Sequence, residues 1–116
     1  MSQGRKPRSV AAPPPPELTP DMNAELQFRL VLGWRINCLR WSRWHDDRKP
    51  LAELMKVTTK TISNWERGER HPYPYEIAQL ARIFGVTTDF LMNGSTLGLG
   101  SDILESVSAM GLLDKA

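Results

Sequence analysis

Between Asp21 and Trp44 the chain has no proline, and Leu32, Ile36, Leu39 and Arg43 recur at i, i+4, i+7 and i+11. That spacing puts one stripe of a helix against a core. The segment HDDRKP interrupts the pattern. Asp47 stands where an N-cap would, and Pro50 falls in a first turn, where a missing backbone N–H leaves no bond unmade. A second helix is therefore expected over 48–55, or from Pro50 on. Thr58 is placed to cap a third, 59–67, which Gly68 can end by adopting a left-handed C′ conformation. At about 100° per residue, Ile62, Trp65 and Glu66 share one face of this helix and Lys60, Ser63, Asn64 and Arg67 the other. Two apolar anchors thus hold a short rod whose outward side carries hydrogen-bonding groups.

Further along, Ile77, Leu80, Ala81 and Phe84 predict a fourth helix from Pro74 or Tyr75 to Gly85. TTDFLMNG predicts a short fifth one, capped by Thr87 or Thr88 and stopped by Gly94. After the Gly-rich linker STLGLGS, Ile103, Leu104, Val107, Met110 and Leu113 lie near helical spacing, interrupted by Gly111, and predict a weak amphipathic sixth helix. No alternating period-2 segment occurs, so the class is all-α. The expected organisation is a basic, Pro-rich arm over 1–20, disordered or polyproline-like, a five-helix domain over 21–94, and a linker with an amphipathic helix over 95–116. Helix one carries a second stripe, Leu30, Trp34, Cys38 and Trp41, offset from the first. Either the sixth helix folds back over it, through Ile103, Val107 and Met110, or two chains bury it between them.

With 116 residues, 41% of them hydrophobic, one small core is expected. The net charge of +2 is unevenly spread: residues 29–70 hold ten Lys or Arg against five Asp or Glu, whereas 71–116 hold two against five. A basic middle is the electrostatic footprint of a polyanion partner. A single cysteine, Cys38, makes neither a disulfide nor a zinc cluster, and His45 and His71 have no ligand partner at metal spacing, so no metal or other cofactor is expected. No Ser/His/Asp or Cys/His set, carboxylate pair or phosphate-cradling loop points to an enzyme. No run of about 18 apolar residues and no secretory h-region is present, so a cytoplasmic, nucleoid-associated protein without a membrane role is expected.

Two helices of about eight residues, joined by a short turn, the second Thr-capped and polar outside, form a helix-turn-helix layout. With LGWRINCLR (32–40), LAELMKVTTKTISNWERGER (51–70) and EIAQLARIFGVTTDFLMNG (76–94) in order and spacing, residues 32–94 resemble the Cro/lambda-repressor-like (XRE-type) helix-turn-helix family. The resemblance implies that Thr59, Lys60, Ser63 and Asn64 present side chains to base edges in the major groove, with Thr58 and Thr61 completing that surface. It places Arg48, Arg67 and Arg70 near phosphates, and pairs Glu66 with Arg40 in a structural ion pair. Three departures stand out: Lys56 occupies a turn position where the family usually has Gly, the loop RWHDD is about one residue longer, and Arg48 replaces a usual Gln.

The function implied is a sequence-specific regulator of transcription, a phage-type repressor of the kind used in phage immunity, binding double-stranded DNA at an inverted-repeat operator as a homodimer. Two alternatives remain open on the residues alone. One is an antitoxin, whose C-terminal segment would bind a protein partner. The other is a protein-interaction module that has kept the fold.

Overall fold

The computed structural model describes residues 12–111, and among these it is all-helical: α1 (Ala24–Trp44), α2 (Lys49–Met55), α3 (Thr59–Glu66), α4 (Pro74–Phe84), α5 (Thr88–Asn93) and α6 (Ser101–Ala109). Helix one begins later than expected because Asn23 caps it, its Oδ1 accepting the Leu26 N–H at 2.8 Å. Helix two starts at Lys49 rather than 48, and its N-cap is Arg48; the Asp47 carboxylate still accepts the Lys49 N–H at 3.0 Å, from one position further out. Thr58 and Thr87 cap α3 and α5 through their hydroxyls, and Gly85 and Gly94 end α4 and α5 in left-handed conformation. Each ending relieves unpaired backbone groups that a helix terminus otherwise exposes. Helix three closes at Glu66, one residue short of expectation, with Arg67 as C-cap and Gly68 at φ 75°.

The core is one cluster. Leu32, Ile36 and Leu39 of α1 meet Leu51 and Met55 of α2, Ile62 and Trp65 of α3, Leu80 and Phe84 of α4, and Phe90 and Leu91 of α5. Burying each such side chain contributes about 1.5–3 kcal/mol relative to exposure. Ile62 and Trp65 are thus the anchors their spacing implied, and they fix the inner side of α3.

Helix six folds back onto the same chain. Val107 is fully buried, Ile103 lies against Gly85, and Met110 packs beside the core near Leu39 and Phe84. The second stripe of α1 is covered by two segments rather than one. The end of α6 borders Trp34 and Trp41, and so does the chain at Ala12–Pro15. Residues 12–20, expected in a disordered or polyproline-like arm, are therefore tied down at Pro13, whose carbonyl accepts the Trp34 indole N–H at 2.9 Å. Residues 1–11, and Leu113 of the expected sixth helix, lie outside the described residues. Leu30 leaves the stripe altogether: it packs over Gly68, at the end of α3.

Candidate nucleic-acid interface

Helix two and helix three meet through a turn whose corner is Lys56, at φ 59° and ψ 43°. A left-handed lysine costs about 1 kcal/mol more than glycine would. The turn tolerates it because the Lys56 N–H is satisfied by the Ala52 and Glu53 carbonyls. Thr58 then opens α3. Its hydroxyl accepts the Thr61 N–H at 3.1 Å and sits 3.0 Å from the Thr61 hydroxyl, so these two threonines chiefly stabilise the first turn.

Helix three is held close to α1 by a residue that its periodicity did not single out. A Cβ on Gly33 would lie 2.1 Å from the Trp65 carbonyl oxygen and 2.9 Å from that of Glu66, so only glycine permits this approach of the two backbones. Its signal was available, since glycine in mid-helix is costly unless close packing requires it. Arg29 adds a clamp from α1, donating to the Gly68 carbonyl at 2.6 Å.

Below α3, Glu66 is buried with Arg40. Arg40 Nε donates to Oε2 and Nη2 to Oε1, both at 2.9 Å, while its other donors reach the Asn37 side chain, at 2.7 Å, and the His45 carbonyl. The expected α1–α3 ion pair is present. Arg48 is tied to the same carboxylate: its Nε also donates to Glu66 Oε1, at 2.9 Å, and its side chain is 36% exposed. Glu66 Oε1 thus accepts from both guanidiniums, the second turning inward to share it. Only the outer part of Arg48 faces solvent.

Thr59, Lys60, Arg67 and Arg70 are exposed, and Ser63 and Asn64 are half-buried. Thr59, Lys60, Ser63 and Arg67 form one wall of a cleft of about 510 Å³; Asp46, Asp47, Arg48 and Lys49 form the other. The two aspartates were read as loop and cap, so the spacing did not foretell an acidic component in this cleft. Arg67 bridges the outer face. It donates to the Ser63 hydroxyl and to Asn64 Oδ1, the latter at 3.0 Å, and pairs twice with Glu69 at 3.1 Å. These bonds hold the Glu69 carboxyl below its ordinary range and raise the Arg67 guanidinium above its own.

The geometry is thus a short, capped helix with a buried inner side, a polar outer side and a sharp turn to the helix before it. Residues 47–91, from the start of α2 through most of α5, match the family model described as helix-turn-helix. This segment is a Cro/C1-type helix-turn-helix domain. Within it, α2 and α3 are the two short helices joined by the Lys56 turn. Helix one, the proline segment and α6 lie outside the match. No curated protein and no solved structure matches the chain. Among the described residues no helix is long and apolar enough to cross a membrane, and no group of three or more His, Cys, Asp or Glu could hold a metal ion.

Proposed function

We propose that the chain is a sequence-specific regulator of transcription that binds an inverted-repeat operator in double-stranded DNA as a homodimer. The observation that carries this reading is the outer row of α3, Thr59, Lys60, Ser63 and Asn64, projecting from a helix whose opposite side is locked into the core within a helix-turn-helix segment. Asn64 offers a donor and an acceptor that suit an adenine edge, Lys60 suits guanine O6 and N7, and the Thr59 methyl can pack on a thymine methyl. Arg67, Arg70 and the outer part of Arg48 would lie along the phosphates and release counterions on binding.

Binding would require one rearrangement. Arg67 covers the acceptors of Ser63 and Asn64 in the unbound chain, so it must swing away, exchanging Glu69 for a phosphate, before Asn64 can bond a base. A two-fold dimer sets two such helices about 34 Å apart, one turn of B-DNA, which is why an inverted repeat is expected. The antitoxin reading has less support, because Val107 and Met110 of α6 are used to pack against the chain's own core.

Selection of bound duplexes from a random pool tests the reading: the winners should share a two-fold symmetric site. Asn64→Ala should cost about 1–3 kcal/mol and relax preference at one base pair, whereas Arg67→Ala should weaken all sequences alike and lower the salt slope by about one. Winners without any common sequence, or an Asn64→Ala chain with unchanged preference, would contradict the assignment.

A further inference from the structure

The proline run plays no part in the DNA reading, and the structure gives it a place of its own. Four consecutive prolines, Pro13–Pro16, have φ locked near −65° and no N–H, so the run is preset as a polyproline II helix with only carbonyls to offer. A surface that recognises such a segment needs flat apolar faces at its repeat and an N–H donor for a carbonyl. Helix one supplies both. Trp34 and Trp41 are seven residues apart, about 10 Å along the helix axis, against about 9 Å for one three-residue turn of polyproline II. The Trp34 indole donates to the Pro13 carbonyl at 2.9 Å, and the Cys38 thiol, between the two tryptophans, reaches the same oxygen at 3.6 Å. Ala109 and Met110, at the end of α6, form a further wall.

The resident segment fills this site poorly. A cleft of about 460 Å³ remains among the prolines, the two tryptophans and the end of α6, and among the described residues of the arm the only non-proline side chain that borders it is the methyl of Ala12. The apolar walls of this open cleft stay in contact with water, and a larger apolar side chain would gain by covering them. We propose that the Trp34–Trp41 face is a polyproline-binding surface, occupied in cis by Pro13–Pro16, at which a partner's proline-rich segment with a bulky apolar side chain binds by displacing the arm. This assignment is independent of the DNA reading.

Because a tethered segment competes as a ligand at millimolar effective concentration, the full-length chain is tested with its own run weakened. The probe is the synthetic octapeptide of residues 11–18 and its Ala12→Leu form, titrated into the full chain carrying P13S, P14S, P15S and P16S while the tryptophan indole N–H resonances are followed by NMR. Saturable shifts of the Trp34 and Trp41 indoles are expected, with affinity at least about tenfold higher than for the unaltered chain, where the arm competes. The Leu form should bind more tightly than the Ala form, and Trp34→Phe, which deletes the N–H donor and keeps an aromatic ring, should weaken binding about fivefold. Absence of a saturable shift in the folded serine-run chain, or binding indifferent to Trp34→Phe, would overturn the proposal. Should the serine-run chain fail to melt cooperatively, the unaltered chain decides. Millimolar Leu peptide should then move the Trp34 indole resonance by displacing Pro13, and an unmoved resonance would overturn the proposal equally.

Discussion

Glu66 joins α1 to α3, and removing its carboxylate is the most informative single perturbation of the domain. Glu66→Ala deletes three charge-assisted hydrogen bonds of 2.9 Å, two from Arg40 and one from Arg48. Breaking a buried ion pair from one side costs about 3–5 kcal/mol, because a desolvated charge is left behind. Two features place this case at the low end. Arg40 keeps the Asn37 side chain and the His45 carbonyl, and Arg48 is exposed enough to be solvated. The expected loss is therefore about 3 kcal/mol, or a fall of about 12–24 °C in Tm for a domain of this size. Urea titration should show the midpoint moving at unchanged m-value. Replacing both partners, Arg40→Met with Glu66→Leu, should recover most of the loss, since the cost arises from the stranded charge rather than from the absent pair. In the fraction that stays folded, Arg48 is freed for phosphate, so the salt dependence of DNA binding should steepen by up to about 0.9 in slope. A loss under about 1 kcal/mol, or a double variant no better than Glu66→Ala, would refute the view of Glu66 as the buried tie between α1 and α3.

Gly33→Ala should destabilise by about 1–3 kcal/mol in urea melts although alanine is the better helix former, because the added methyl would meet the Trp65 carbonyl at 2.1 Å; a gain in stability would deny the close approach. Lys56→Gly should stabilise by about 1 kcal/mol, relieving the left-handed corner between α2 and α3, and no gain in the same assay would count against strain there. Burial pushes the Cys38 thiol up to about 12, with the Glu66 charge adding and Arg40 opposing. The unfolded chain then sheds a proton that the folded chain keeps, so stability should fall as pH rises from about 9 towards 12, by up to about 1.4 kcal/mol per unit more steeply than in Cys38→Ala. Equal slopes for the two chains would refute that burial.

Helix order, caps and stops were legible because each is a local matter. Thr58, Thr87, Gly85 and Gly94 act within one turn of their own position, and the Ile62–Trp65 spacing sufficed to say which side of α3 faces inward. A boundary moved where two local solutions compete, as at Arg48 against Asp47. The outer row of α3 was readable for the same reason as its inner row, one being the complement of the other. The state of its side chains was not. Whether Arg67 lies on Ser63 and Asn64 or stands free, and whether Arg48 turns to Glu66 or outward, depends on which charges the fold brings near, and these come from other turns and other helices.

The residues in order were enough to specify an all-α chain with a capped, amphipathic third helix, because helical period and capping act over three to four residues. Tertiary structure decided which backbone Gly33 lets approach α1, that Arg48 shares Glu66 with Arg40, and that prolines and the end of α6 border the tryptophans of α1. Those outcomes join positions 18 to 33 residues apart or more, and at such separations contact is settled by shape and charge in the assembled core rather than by any pattern along the chain.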